Sequence, residues 1–119
     1  MNAGEIIDRY FEIWNERNAQ RRRSLVEGLW AEDGDYVDPL LSVRGYDEID
    51  AAIGAAQQQF PGFRFAVSGV VDSHHDRARF TWELFSPQQN ESIVEGFDVI
   101  VATDDGRIRS VSGFLNRVP

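Results

Sequence analysis

The chain has 119 residues, enough for one compact domain with a single core, and we expect one domain over residues 1–119. Its formal net charge of −8 argues against a nucleic-acid partner, because phosphate binding needs a basic surface. The chain lacks cysteine and lysine, which excludes disulfides, thiolate chemistry and a lysine Schiff base. Without an apolar leader or spanning segment, we expect a cytoplasmic protein with no membrane partner.

Two helices are predicted in the first third of the chain. Asn2 is a suitable N-cap, and apolar residues then recur at helical spacing, with Tyr10 on the buried side. Asn18 can cap a second helix, which we expect to end in the acidic, glycine-containing stretch 32–35. The three arginines at 21–23 are expected to form a solvated face of that helix.

One short strand and a third helix follow. Residues 36–39 predict a strand that ends at Asp38, because the following proline favours an extended backbone there and removes an amide from the sheet. Asp47 and Glu48 suit the first turn of a helix, which Pro61 and Gly62 should end.

From Phe63 onward the apolar residues alternate with period two, which predicts antiparallel strands. Polar turns are expected at 72–76 and 86–90, and Asp104-Asp105-Gly106 is a strong hairpin signal. Since helices come first and strands afterwards, the chain belongs to the α+β class, with helices covering one face of a strongly curved, mostly antiparallel sheet. The curvature should leave a hollow.

Two carboxylates and one phenol fall where the pattern predicts burial, namely Asp38, Asp98 and Tyr10. A buried, unpaired carboxylate costs several kcal/mol, so each is a candidate functional group. Simpler interpretations stay open. Asp38 can bind the loop amides that follow it, Asp98 can pair with Arg79 or Arg109, and Tyr10 can merely pack its ring.

The histidines offer little chemistry. His74 and His75 fall in a predicted polar turn without a cysteine or a third ligand at metal spacing. We therefore predict no metal site. A histidine at the mouth of the hollow, acting as an acid or base, is a minor alternative.

Several motifs together resemble the nuclear transport factor two-like superfamily, and within it the SnoaL-like and ketosteroid isomerase branch. They are the Asp38-Pro39 step, the Arg44-Gly45 entry to a helix, Phe97-Asp98-Val99, and the run 104–108. The likeness covers essentially the whole chain. It implies that the curved sheet forms a cone-like cup, the cystatin-like roll.

The resemblance also implies roles for the candidate residues. Asp38 matches the general base of ketosteroid isomerase, Tyr10 its oxyanion tyrosine, and Asp98 the aspartic acid that an apolar site keeps neutral. It implies an isomerase- or cyclase-type enzyme that acts on a hydrophobic carbonyl compound and needs no cofactor. The residues expected to line the substrate cavity are Trp14, Trp30, Phe60, Phe80, Trp82, Leu84, Ile100 and Leu115.

A different class of function remains as the alternative, namely a non-catalytic carrier of an apolar ligand or a dimeric interaction domain. It is motivated by Trp30 and Ile53, which replace the tyrosines that support the catalytic phenol in the isomerase, and by Leu115, which replaces an aromatic residue. In either case we expect a homodimer through the sheet, since apolar residues lie on both faces of the segment 97–102.

Overall fold

The computed structural model describes residues 2–88 and 90–119, and its architecture confirms the predicted α+β class. The helices are α1 (Ala3–Asn15), α2 (Ala19–Leu29) and α3 (Tyr46–Gln59). The strands are β1 (Trp30–Val37), β2 (Ser42–Arg44), β3 (Arg64–His74), β4 (Arg77–Phe85), β5 (Ser92–Ala102) and β6 (Ile108–Arg117). Gln89, in the predicted turn at 86–90, lies outside the described residues.

The six strands form one sheet in the order β2-β1-β6-β5-β4-β3. Only the β1–β6 pair is parallel among the described strands, as expected for a mostly antiparallel sheet. In the centre, Asp98 of β5 lies opposite Phe80 of β4 on one side and Gly113 of β6 on the other. Directly paired residues share a face of the sheet, so this register fixes what surrounds Asp98.

Helix α1 closes the concave side of the sheet, and its start follows the predicted cap. The Asn2 side chain accepts a hydrogen bond from the Glu5 amide at 2.9 Å, and Asn18 does the same for Arg21 at the start of α2. The predicted apolar stripe of α1 is buried, with Tyr10 1% exposed. Within the described part of the chain, no helix has the length and apolar character needed to cross a bilayer.

The end of α2 differs from the prediction. The helix stops at Leu29, and the stretch 32–35 belongs to β1 instead of forming a loop. A register shift in the β1–β6 pairing lies between Trp30 and Asp35, so the strand runs through an irregularity that masks its alternation in the sequence. Strand β2 was too short to be predicted.

The solvated face predicted for residues 21–23 is wrong for Arg22, which is 8% exposed. Its guanidinium donates to Asp50 Oδ1 at 2.8 Å and to Gln57 Oε1 at 2.9 Å, both on α3. The Gln57 amide then donates to the carbonyl oxygens of Trp14 and Glu16, at 3.0 and 2.8 Å. One buried polar network therefore connects all three helices, which the isolated sequence of α2 does not reveal.

We expect Gln57→Leu to lower the free energy of unfolding by about 2–3 kcal/mol, because the Arg22 Nη1 group and the carbonyl groups of Trp14 and Glu16 lose their hydrogen bonds to Gln57. Gln58→Leu is the matched control, since Gln58 is exposed on the same helix. Urea denaturation should separate the two variants. Equal stability of both would show that this network does not hold the helices together.

Candidate active site

A cavity of about 580 Å³ opens between α1, α3 and the concave face of the sheet, a size typical of small-molecule sites. Its lining comprises Tyr10, Phe11, Trp14, Tyr36, Asp38, Leu40, Leu41, Ala52, Ala55, Ala56, Gln59, Phe60, Phe65, Trp82, Leu84, Val94, Asp98, Gly113, Phe114, Leu115, Val118 and Pro119. The three candidate groups thus reach one space. Leu40 and Val118 are 79% and 57% exposed, so the cavity opens to solvent at their end.

Asp98 lies at the bottom of this cavity with 2% of its surface exposed. The Tyr10 hydroxyl donates to its Oδ2 at 2.7 Å, and the Trp82 indole Nε1 donates to its Oδ1 at 3.0 Å. The alternative of an ion pair with Arg79 is not realised, since Arg79 pairs with Asp72 at 3.4 Å. Asp98 is a buried carboxyl group held by two neutral donors.

Burial raises the pKa of Asp98 to about 6, and the negative charge of Asp38 acts in the same direction, against the two hydrogen bonds from Tyr10 and Trp82. The carboxyl group therefore changes charge near neutral pH, where general acids and bases work best. Burial and the charge of Asp98 also raise the pKa of Tyr10 well above its ordinary value, so Tyr10 stays a neutral phenol.

Asp38 both binds the loop amides that follow it and lines the cavity, two interpretations that the sequence offered as alternatives. Its Oδ1 accepts hydrogen bonds from the amides of Leu40 and Leu41, at 2.8 and 3.1 Å, which fixes the loop after β1. Its Oδ2 accepts from the Tyr36 hydroxyl at 2.7 Å. Three donors face this carboxylate, which suits an acceptor-only, ionised group.

Tyr36 is a site residue that the sequence reasoning missed. It is 6% exposed, and burial together with the charges of Asp98 and Asp38 raises its pKa. The sequence could have revealed it, because Tyr36 precedes Asp38 by two residues in an extended segment, and side chains two residues apart share a face. The site thus holds two pairs, Tyr10 with Asp98 and Tyr36 with Asp38.

Gly113 lies where these two pairs meet. A Cβ atom at this position would be 3.0 Å from Asp98 Oδ1, 3.3 Å from Asp38 Cβ and 3.6 Å from the Tyr36 hydroxyl. Asp98 and Asp38 therefore both lie beside Gly113. A side chain at this position would crowd both residues, so glycine allows Asp98 and Asp38 to lie this close to β6.

Gly96 makes room for the Trp82 side chain, which lies across β5. The two residues are paired between β4 and β5, and a Cβ on Gly96 would be 2.3 Å from Trp82 Cζ2, far inside van der Waals contact. The indole ring therefore occupies the space of the missing side chain. In this position the indole Nε1 of Trp82 lies within hydrogen-bond distance of Asp98.

The expected lining residues fall into two groups. Trp14, Phe60, Trp82, Leu84 and Leu115 line the cavity. Trp30, Phe80 and Ile100 do not, because they are fully buried in the core. The rings of Trp30 and Phe80 each lie 5.8 Å from the Tyr10 ring, so these two side chains support the phenol from behind. His74 and His75 lie at the β3–β4 turn, away from the lining.

The raised pKa of Asp98 predicts a pH-dependent cost of folding. Since the folded pKa of about 6 exceeds the ordinary 3.8, the folded state binds more protons, and stability falls as pH rises through that window. The free energy of unfolding of Asp98→Asn, relative to wild type, should therefore rise by about 2–3 kcal/mol as the pH goes from about 4 to about 7. Urea denaturation of both proteins at the two pH values measures this. A difference in stability between the two proteins that is the same at both pH values would contradict the raised pKa of Asp98.

The fold and the cavity define a class of protein, the cone-shaped α+β domains with an acidic group inside an apolar cup. The chain matches the SnoaL-like domain over residues 7–111 and belongs to the SnoaL-like family. The resemblance inferred from the sequence is therefore confirmed. No curated protein matches the chain significantly.

Solved structures agree with this assignment. A candidate isomerase of the SnoaL-like family from Agrobacterium tumefaciens is 44% identical, with a TM-score of 0.90 over 94% of this chain and 95% of that one. A candidate SnoaL-like polyketide cyclase from Jannaschia is 13% identical, with a TM-score of 0.73 over 95% and 86% of the two chains. A cystatin-like protein from Nostoc punctiforme is also 13% identical, with a TM-score of 0.73 over 97% and 90%. The last two show the fold alone.

Proposed function

We propose that the protein is an isomerase- or cyclase-type enzyme that transfers a proton on a hydrophobic carbonyl compound bound in the cavity. The observation that carries this proposal is the buried Asp98 carboxyl group, 2.7 Å from the Tyr10 hydroxyl, facing the same apolar space as Asp38. A buried acid with a pKa of about 6 beside a second carboxylate is typical of acid–base sites.

In this proposal Asp38 is the general base. Its carboxylate takes a proton from the carbon next to the carbonyl group, and the electrons of the broken C–H bond move onto the carbonyl oxygen, giving an enolate. Return of the proton to another carbon of the conjugated system gives an isomer. In a cyclase, the enolate carbon would instead attack a second carbonyl group of the same molecule, and the resulting alkoxide would take up the proton.

Tyr10 and Asp98 then stabilise the enolate oxygen. Tyr10 is a neutral phenol and can donate throughout, whereas Asp98 can donate only when protonated. Its pKa of about 6 makes the protonated form accessible, and a bound apolar ligand would raise this pKa further by excluding water. The aromatic lining would exclude that water, and the scheme uses no cofactor.

One of the related structures supports the reaction class. The Agrobacterium relative described as a candidate isomerase is similar enough to share a function, whereas the cyclases support the fold. The second candidate function is ligand binding without turnover. It is favoured by the three hydrogen bonds to Asp38, because a carboxylate that fixes a loop needs no catalytic role.

The direct test is conversion of β,γ-unsaturated cyclic ketones to the conjugated enones, followed by ultraviolet absorbance. Proton NMR in heavy water should show deuterium entering the γ carbon of the product, because the dienolate takes up its returning proton there. We expect both signals with wild-type protein. Ligand binding without either signal would contradict proton abstraction and favour the carrier.

A further inference from the structure

We propose that the cavity also binds hydrophobic ligands that carry a protonated amine, with the ammonium group placed on Asp98. This goes beyond the proposed reaction, although it rests on the same cavity being the ligand site. Three features of the lining support it: a pair of acidic groups, a wall of aromatic rings, and the absence of a basic side chain among the described lining residues.

The acidic groups form an uncompensated negative centre. Asp98 and Asp38 both line the cavity beside Gly113. The groups that face Asp98 are the phenols Tyr10 and Tyr36, the indole Trp82 and the Asp38 carboxylate. No arginine or histidine is among the lining residues that the structure describes. Buried carboxylates are usually paired with a cation, so a ligand cation would supply what the protein does not.

Asp98 retains the capacity to bind such a group. An ionised carboxylate offers about four acceptor positions, and Tyr10 and Trp82 occupy one on each oxygen. Asp98 belongs to the cavity lining, and its neighbour Gly113 on β6 has no side chain to cover Oδ1. An ammonium group entering from the cavity can therefore hydrogen-bond to Asp98 while lying near Asp38.

The aromatic rings of the cavity lining form a continuous wall that ends at Asp98. Trp14 and Phe65 have ring centroids 5.1 Å apart, Phe65 and Trp82 5.7 Å, and Tyr10 and Trp14 6.1 Å. The row of rings therefore ends at Trp82, whose Nε1 donates a hydrogen bond to Asp98. Aromatic faces attract cations and also hold an apolar skeleton, so the wall suits a lipophilic ammonium ion better than an anion of the same shape.

Three probes of one shape test the proposal by calorimetry at neutral pH: naphthylmethylammonium, naphthylmethanol and naphthoate. We expect the ammonium probe to bind about tenfold more tightly than the alcohol, and the carboxylate at least about tenfold more weakly than the alcohol. Asp98→Asn should abolish the preference for the ammonium probe over the alcohol. Because binding requires no turnover, this result is independent of whether the protein is an isomerase.

Glu12→Gln is the matched control. It removes one negative charge from an exposed position of α1 outside the cavity lining, so the order of the three affinities should persist. Naphthoate binding as tightly as naphthylmethylammonium would overturn the proposal. So would a failure of the ammonium probe to bind at millimolar concentration, or an unchanged preference in Asp98→Asn.

Discussion

Asp38→Asn is expected to lower turnover in the ketone assay by about 10²–10⁴-fold while the protein stays folded. The amide oxygen can keep the hydrogen bonds from Leu40 and Leu41, and the amide nitrogen can donate to the Tyr36 hydroxyl oxygen, which can accept. Only the proton-accepting charge is lost. The initial rate of enone formation and the urea midpoint together measure this separation.

Asp33→Asn is a suitable control for that experiment, since Asp33 is exposed in β1, the strand that precedes Asp38, and lies outside the cavity lining. It makes the same chemical change without touching the site, and its rate should match wild type. Full activity of Asp38→Asn would remove Asp38 as the base. Loss of activity with a matching loss of stability would instead indicate that Asp38 only fixes the loop.

Gly96→Ala is expected to lower the free energy of unfolding by about 1–3 kcal/mol and to displace Trp82 from Asp98. The added methyl group would lie 2.3 Å from Trp82 Cζ2 and 2.8 Å from the Phe114 carbonyl oxygen, so neither the ring nor the backbone can remain in place. Urea denaturation measures the loss, and the indole Nε1–H signal of Trp82 in NMR should shift as its bond to Asp98 weakens.

Gly28→Ala provides the comparison for this glycine. Gly28 is in α2, and its added methyl group would meet only the flexible end of Arg9, at 3.3 Å. Alanine is the better helix former by about 0.5–1 kcal/mol, so this variant should be as stable as wild type or more stable. If Gly96→Ala behaved in the same way, the contact of Trp82 with β5 would not position the indole.

The fold followed from local patterns in the sequence because those patterns have local causes. Asn2 and Asn18 cap helices through bonds three residues away, and the change from helical spacing to alternation at Phe63 marks the passage from α3 to the sheet. Asp98 was located by the same alternation. Its face could be predicted, since side chains in a strand alternate regardless of what lies opposite.

The features that escaped prediction depend on tertiary contacts. Arg22 resembles a surface arginine until α3 brings Asp50 and Gln57 to it. Phe80 shares its face with Trp82, yet it lies deeper, beneath the Tyr10 ring, whereas Trp82 reaches the cavity. Gly113 carries no chemistry in the sequence, and only the register of β6 on β5 places it beside Asp98.

The proposed reaction and the proposed ammonium site depend on Asp98 in different protonation states. Stabilising an enolate oxygen requires the neutral acid, and holding a cation requires the carboxylate. With a pKa of about 6, small changes in the cavity select one state or the other. A neutral apolar ligand should favour proton uptake, whereas a cationic ligand should keep the group ionised.

Carbon NMR titration of the aspartate carboxyl groups tests the central claim most directly, with the Asp98 signal assigned by its absence in Asp98→Asn. We predict that this signal titrates near pH 6, because burial in the cavity opposes the charged form. A signal that has completed its titration below about pH 4.5 would show an ordinary, solvated carboxylate and would contradict the account.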